Sequence, residues 1–232
     1  MDALDAAALI RPAIPPTSRV WADLGAGTGT FTRALAYLLP QARIYAVDRN
    51  ASALGKLLRS LHQDGVTVVP VRADFTEPLD FPELGTDPLD GILFANSLHF
   101  IADPFPVLRS LVARLGPSGR VVIVEYDRRR ANRWVPYPIP AMRVAPLAMT
   151  AGLTAPTIVA TRRSAFGGTL YVAAADRARA PPLAARRPLL HSQATGGLIR
   201  AQPLRPSPDR LTALGELPDS GLKYLGTDVY RR

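Results

Sequence analysis

Val20-Trp21-Ala22-Asp23-Leu24-Gly25-Ala26-Gly27-Thr28-Gly29-Thr30 is the stretch that decides the fold. A short apolar run ends in an acid. Three glycines follow at alternate positions, and a helix-like segment extends to Leu39. This pattern reads as strand, tight turn and helix N-terminus. Glycines let the backbone turn sharply and let a ligand approach the main chain. A helix N-terminus adds N–H groups that lack intrahelical partners. Asp23, Gly25, Ala26, Gly27 and Gly29 are therefore candidate ligand contacts. The spacing D-x-G-x-G-x-G is not the dinucleotide fingerprint G-x-G-x-x-G. Thr30 or Thr32 stands where the last glycine of that fingerprint would fall.

Strand and helix patterns alternate outward from this stretch. A helix is expected over 2–10, strand 1 over 18–24, and a helix over 29–39 that stops at Pro40. Ile44-Tyr45-Ala46-Val47 reads as strand 2, ending in Asp48 with Arg49 beside it. Asp48 lies 19 residues after Gly29, near the offset of about 20 at which a βαβ unit places a ribose-binding acid. Its other reading is a cap for the helix expected over 51–63. Strand 3, over 66–71, contains Pro70, which suits a place near a sheet edge. Asp74-Phe75 follows it. Asp90-Gly91-Ile92-Leu93-Phe94-Ala95 is a buried strand 4, leading into Asn96-Ser97-Leu98-His99. A helix over 104–115 starts at Asp103-Pro104. Gly116-Pro117-Ser118-Gly119 reads as a turn, and Arg120–Tyr126 as a central strand 5. A poor helix, 141–152, contains Pro146. The segments 157–160 and 169–174 read as strands 6 and 7.

Composition bounds the rest. The chain has 232 residues, 47% of them apolar, which is enough for one α/β domain. It has no cysteine, so disulfides, thiolate metal sites and cysteine nucleophiles are excluded. The three histidines (His62, His99, His191) are far apart and form no ligand-spaced cluster, so no metal is expected. The beginning lacks a signal-peptide pattern and there is no long apolar run, so a cytoplasmic protein with no membrane partner is expected. Net charge is +9, nearly all of it from arginine. That composition suits a GC-rich genome as readily as a nucleic-acid surface.

The ordered set Asp23 to Gly29, Asp48, Asp74-Phe75 and Asn96 to His99 resembles the class I S-adenosylmethionine-dependent methyltransferases, over roughly residues 2–175. The resemblance implies an α/β, Rossmann-like sheet of seven mostly parallel strands in order 3-2-1-4-5-7-6, with helices on both faces. It implies S-adenosyl-L-methionine as cofactor. Asp23 would orient its amino group, Asp48 and Arg49 would meet the ribose side, and Asp74 and Phe75 the adenine. Ala95 and Asn96 would face its methionine part. The implied reaction is methyl transfer by in-line displacement. After strand 4 the chain lacks (D/N)-P-P-(Y/F), the motif that positions amide or adenine amines. A small-molecule acceptor is therefore favoured over nucleic acid. The lack of cysteine also argues against C5-pyrimidine methylation.

The acceptor itself is not written in the sequence, and neither is the oligomeric state. His99, Glu125 and Tyr137 are candidate bases, and His99, Trp134 and Tyr137 candidate acceptor contacts. The loop Asp127-Arg128-Arg129-Arg130-Ala131-Asn132-Arg133-Trp134-Val135-Pro136-Tyr137 leaves the C-terminal end of strand 5, where open α/β sheets place ligands. It reads as an acceptor lid, a single-stranded nucleic-acid contact or a packed surface loop. Three other functions stay open: an RNA methyltransferase, an NAD-binding oxidoreductase and a non-catalytic fold relative. Residues 1–175 are read as the domain. Residues 176–232 are read as a Pro/Arg-rich tail, disordered or loosely docked, a basic partner-binding arm, or the product of a reading-frame change.

Overall fold

The computed structural model describes residues 1–61, 66–127, 130–164 and 167–179. His62, His191, Arg128, Arg129 and all of the tail from 180 onward lie outside the described residues. The described chain runs α1 (Ala3–Ile10), β1 (Val20–Leu24), α2 (Thr30–Leu38), β2 (Arg43–Asp48), α3 (Ala51–Arg59), β3 (Thr67–Arg72) and β4 (Leu89–Ala95). It continues α4 (Phe105–Val112), β5 (Leu115–Asp127), α5 (Ala141–Thr150), β6 (Thr157–Arg163) and β7 (Thr169–Asp176).

The seven strands form one sheet in the order β3-β2-β1-β4-β5-β7-β6. The pairs β1–β2, β1–β4, β2–β3 and β4–β5 are parallel. Only β7 runs against its neighbours, β5 and β6. The expected order and mixed sheet are therefore present, and Pro70 sits on the edge strand β3. That position costs no central ladder bond.

Side-chain alternation along each strand divides the core in two. Ala22, Leu24, Ile92, Phe94 and Ile123 pack on one face with Leu108 and Leu111 of α4 and Val144 of α5. Trp21, Ile44, Leu93 and Val122 pack on the other with Ile10 of α1 and Leu35 of α2. Trp21 is fully buried, and its indole packs against Gly91, where an added Cβ would come within 2.3 Å of the ring. The start of β1 is fastened by Asp90, whose carboxylate accepts from the N–H groups of Arg19 (2.6 Å) and Val20 (3.1 Å).

Several boundaries differ from expectation. The 116–119 turn falls inside β5, because pairing with β4 resumes at Arg120 after a register shift between Leu89 and Gly91. Four residues loop out of a strand that then continues, so local turn chemistry and a long strand coexist. The helix after Pro104 begins at Phe105, with Asp103 bonded to the Phe105 N–H at 3.2 Å. Pro146 lies within α5, which still completes ten residues. β7 runs one residue past 175. Arg177 and Ala178 then donate backbone bonds to Gly119 (2.7 Å) and Gly152 (2.9 Å). Among the described residues no helix is long and apolar enough to cross a membrane.

Candidate active site

β1 ends at Leu24, and the chain turns sharply through Gly25, with φ at +80°. A side chain at Gly25 is excluded twice. The left-handed backbone disfavours one, and its Cβ would sit 2.5 Å from the Cβ of Ser97. The loop after β1 and the loop after β4 therefore meet backbone to side chain. Gly29 serves packing, since a Cβ there would overlap Leu57 of α3 at 2.0 Å. Gly27 donates its N–H to Asp48 Oδ2 at 2.7 Å. Neither Gly27 nor Gly29 lines a cavity; both shape the loop that does.

Two cavities meet at this turn, and Gly25 and Asn96 line both. The larger, about 610 Å³, is walled by Asp23, Ala26, Thr30, Phe31, Ala95, Tyr126 and the end of β6. The smaller, about 200 Å³, is walled by Asp48, Arg49, Asp74, Phe75 and Ser97. Asn96 holds φ at +54°, an uncommon backbone for a residue other than glycine. Its Oδ1 and the Ser97 Oγ are buried without a hydrogen-bond partner. Such atoms are costly unless something supplies the missing bond.

The acids differ in state. Asp23 is buried, with Thr32 Oγ1 donating to its Oδ2 at 2.6 Å. Burial pushes its carboxyl up to about 7. The Asp48 charge adds to the rise and the Thr32 bond opposes it. Asp74 is held below the usual carboxylate range by the backbone N–H and then the hydroxyl of Thr76, at 3.0 and 2.7 Å. Asp48 accepts from Gly27 and, through Oδ1, from Asn50 N–H at 2.8 Å. Asn50, not Asp48, caps α3 by accepting from Ala53 N–H. Phe75 packs edge-on against Phe94, with ring centres 5.8 Å apart.

The residues expected to work on an acceptor stand elsewhere. His99 and Glu125 form a buried pair behind the Asn96–Ser97 turn and line neither cavity. Glu125 Oε2 is 2.6 Å from His99 Nδ1, and Oε1 accepts from the His99 N–H at 3.2 Å. A short 3₁₀ turn, Leu98–Phe100, carries His99 inward. Tyr137 is largely exposed, its N–H bonded to the His99 carbonyl at 3.0 Å. Trp134 is 66% exposed, under the Arg133 guanidinium at 4.7 Å. Asn132 accepts from the N–H groups of Trp134 and Val135, so this loop closes on itself. Neither aromatic side chain lines either cavity. Sequence reasoning missed Thr32, Tyr126 and Arg163. Thr32 and Tyr126 had a readable signal in a helix's first turn and a central strand's C-terminal end. Arg163 had none.

Among the described residues no three His, Cys, Asp or Glu side chains group as metal ligands.

Residues 22–121 match a family model described as a methyltransferase domain. A ubiquinone/menaquinone biosynthesis C-methyltransferase of Pseudomonas aeruginosa is 31% identical over 113 residues, which is 47% of this chain and 43% of the relative. A release factor glutamine methyltransferase of Mycobacterium leprae is 35% identical over 118 residues, 50% of this chain and 36% of the relative. The chain thus spans less than half the length of these curated relatives. Among solved structures, a 1,6-didemethyltoxoflavin-N1-methyltransferase of Burkholderia thailandensis is 26% identical with a TM-score of 0.56, covering 76% of this chain and 78% of that one. The YcgJ protein of Bacillus subtilis, 12% identical, shares the fold with a TM-score of 0.59 over 76% of this chain and all of that one. With its strand order and the matched segment starting inside β1, residues 22–121 of the chain are similar to the methyltransferase domains of S-adenosylmethionine-dependent enzymes.

Proposed function

We propose that the protein transfers a methyl group from S-adenosyl-L-methionine to a small-molecule acceptor. The observation that carries this reading is the pair of cavities joined at Gly25 and Asn96. A ligand with an amino-acid end and a purine-nucleoside end needs two such compartments. The residues fit it. Asp23 offers an acid to an ammonium. Asp48 offers carboxylate oxygen to ribose hydroxyls, and Asp74 with Phe75 a polar edge and a ring to a purine. Asn96 Oδ1 and Ser97 Oγ, unpartnered and buried, are available to complete the contacts.

When bound, the cofactor supplies an electrophilic sulfonium methyl. The chain's own work is alignment and exclusion of water. The Gly25 turn sets how closely a ligand approaches the main chain. Asn96 holds the junction of the two compartments, and Tyr126 and Leu170 wall the larger one, where an acceptor enters. His99 and Glu125 brace the Asn96–Ser97 turn from behind. In this reading they position that turn and do not take a proton from the acceptor. The small-molecule reading is favoured because neither Trp134 nor Tyr137 lines either cavity. Both the similar toxoflavin-type structure and the quinone-type relative are, by name, enzymes of small molecules.

The test is calorimetric titration with S-adenosylmethionine and with NAD, followed by incubation of a metabolite extract with methyl-labelled cofactor. Binding of the first alone, lost in Gly25→Ala, is expected, with label appearing in a small molecule. NAD binding without a signal for adenosylmethionine would end the reading.

A further inference from the structure

The stretch from Trp134 to Met149 turns apolar side chains to solvent on a pinned backbone. Asn132 and Val135 bond to each other in both directions, N–H to carbonyl, at 3.0 and 3.1 Å. Arg133 and Trp134 are therefore the two-residue tip of a small hairpin. Val135 and Ile139 are buried. The Tyr171 hydroxyl donates to the Ile139 carbonyl at 2.7 Å, and the Tyr137 N–H to the His99 carbonyl. Yet Trp134 at the tip is largely exposed, with the Arg133 guanidinium over its ring.

α5 begins four residues after Tyr137. Its inner face, Val144 and Ala148, is buried in the core. Its outer face, Met142, Pro146 and Met149, has the i, i+4, i+7 spacing of one helix side and is exposed, Met142 by 83%. A surface helix ordinarily turns charged or polar side chains outward. Of the ten large apolar side chains exposed among the described residues, four lie between Trp134 and Met149. That is a concentration, not the single scattered residues of an ordinary surface.

Charge identifies the partner. From Arg128 to Ala175 the sequence has seven arginines and no lysine, aspartate or glutamate. Of these, Arg130, Arg133 and Arg143 are exposed along the same stretch. A second copy of the chain would set like charges against each other. A nucleic acid would meet the arginines, but methionine and proline offer its bases no aromatic face to stack on. An anionic lipid surface satisfies both halves. Its phosphates take guanidinium groups, and tryptophan and apolar side chains enter the boundary between headgroups and acyl chains.

We propose that the Trp134 hairpin tip and the outer face of α5 dock the protein on the surface of an anionic phospholipid bilayer. Trp134, Met142 and Met149 enter the interface, and Arg130, Arg133 and Arg143 meet lipid phosphates. The expectation of no membrane partner rested on the lack of a spanning run, which a surface contact does not need. The docking is independent of the methyl-transfer reading.

The test uses the full chain with vesicles of phosphatidylcholine alone and of phosphatidylcholine with roughly a third phosphatidylglycerol. Flotation measures binding. The chain has two tryptophans and Trp21 is fully buried, so a change in emission reports Trp134. Anionic vesicles are expected to bind the native protein and shift its emission to the blue, with binding to phosphatidylcholine about tenfold or more weaker. Arg133→Gln with Arg143→Gln is expected to lower the partition coefficient about 25-fold, at about fivefold for each arginine near an anionic surface. Met142→Gln with Met149→Gln is expected to lower it severalfold. Both pairs should keep the native melting temperature, since all four side chains are exposed. W134F should still bind and lose the shift. Residues 176–232 are basic as well, so flotation alone does not decide. The proposal is overturned if the protein floats with unshifted emission, if the methionine variant binds as tightly as the native protein, or if anionic vesicles are not bound at all. Quenching of Trp134 by oligouridylate without a response to vesicles would give the face to a nucleic acid. A dimer in sedimentation that the methionine substitutions dissociate would give it to a second copy. Either result also overturns the proposal.

Discussion

If Asp23 meets the cofactor's ammonium as proposed, its buried carboxyl should make cofactor affinity depend on pH in a window that few other groups would produce. Its proton affinity is raised from 3.8 to about 7, chiefly by burial. Each tenfold step is worth about 1.4 kcal/mol, so ionising Asp23 in the empty site costs on the order of 4 kcal/mol. The folded protein therefore holds a proton that the unfolded chain gives up near pH 4. Stability of the ligand-free protein should fall as pH rises from about 4 to about 7, then level off. An ammonium placed against Asp23 needs the ionised form. At pH 6 only about a tenth of the protein is ready, so affinity should be about eightfold weaker than at pH 7.5, with a proton released on binding. Above about pH 8 affinity should fall again as the cofactor's own α-amino group loses its proton. Titration calorimetry in two buffers of different ionisation enthalpy reads both the affinity and the proton. Asp23→Asn should bind more weakly and show no rise between pH 6 and 7.5. Thr32→Val, which removes the bond that lowers the Asp23 value, should move the rise to higher pH. A flat native profile, or the same rise in Asp23→Asn, would refute the assignment.

Two substitutions separate the frame from the site. Gly91→Ala drives a methyl group into the Trp21 ring and should lower stability by about 2 kcal/mol. It should leave S-adenosylhomocysteine affinity intact; urea denaturation beside titration measures both. Glu125→Ala removes both of the bonds that Glu125 accepts from His99. It should cost about 3 kcal/mol and weaken S-adenosylhomocysteine binding, because the Asn96–Ser97 turn loses its brace. Normal affinity in a folded Glu125→Ala protein would show that the pair serves the core alone.

What the sequence made legible was local. The strand order came with the resemblance, but the elements that carry it were visible in alternating apolar runs and their breakers. The glycine turn, Asp48 and Asp74-Phe75 were visible because each follows its strand directly, and a strand's C-terminal end has a fixed place in this kind of sheet. Asp48 shows how far that goes. The sequence left ribose contact and helix capping open, and the structure gives the cap to Asn50 two residues later.

Where side-chain direction mattered, sequence spacing was not enough. His99 follows β4 by four residues, close enough to suggest the cavity, yet the 3₁₀ turn aims it at Glu125 on the neighbouring strand. Which way it points depends on an acid 26 residues away, and no local pattern encodes that. Trp134 and Tyr137, which line neither cavity, show a related limit. An aromatic, basic loop leaving a central strand suggests an acceptor lid, but Asn132 closes it on its own backbone. Arg163 is the converse case. It sits in an ordinary run of polar and basic residues, and only the return of β7 antiparallel to both neighbours brings the end of β6 to the edge of the cavity. The glycine loop proposed to face the cofactor is thus written in consecutive residues. The proposed acceptor wall is assembled from β5, β6 and β7, whose ends meet only in the folded sheet, so on this reading acceptor choice is the property least readable from sequence.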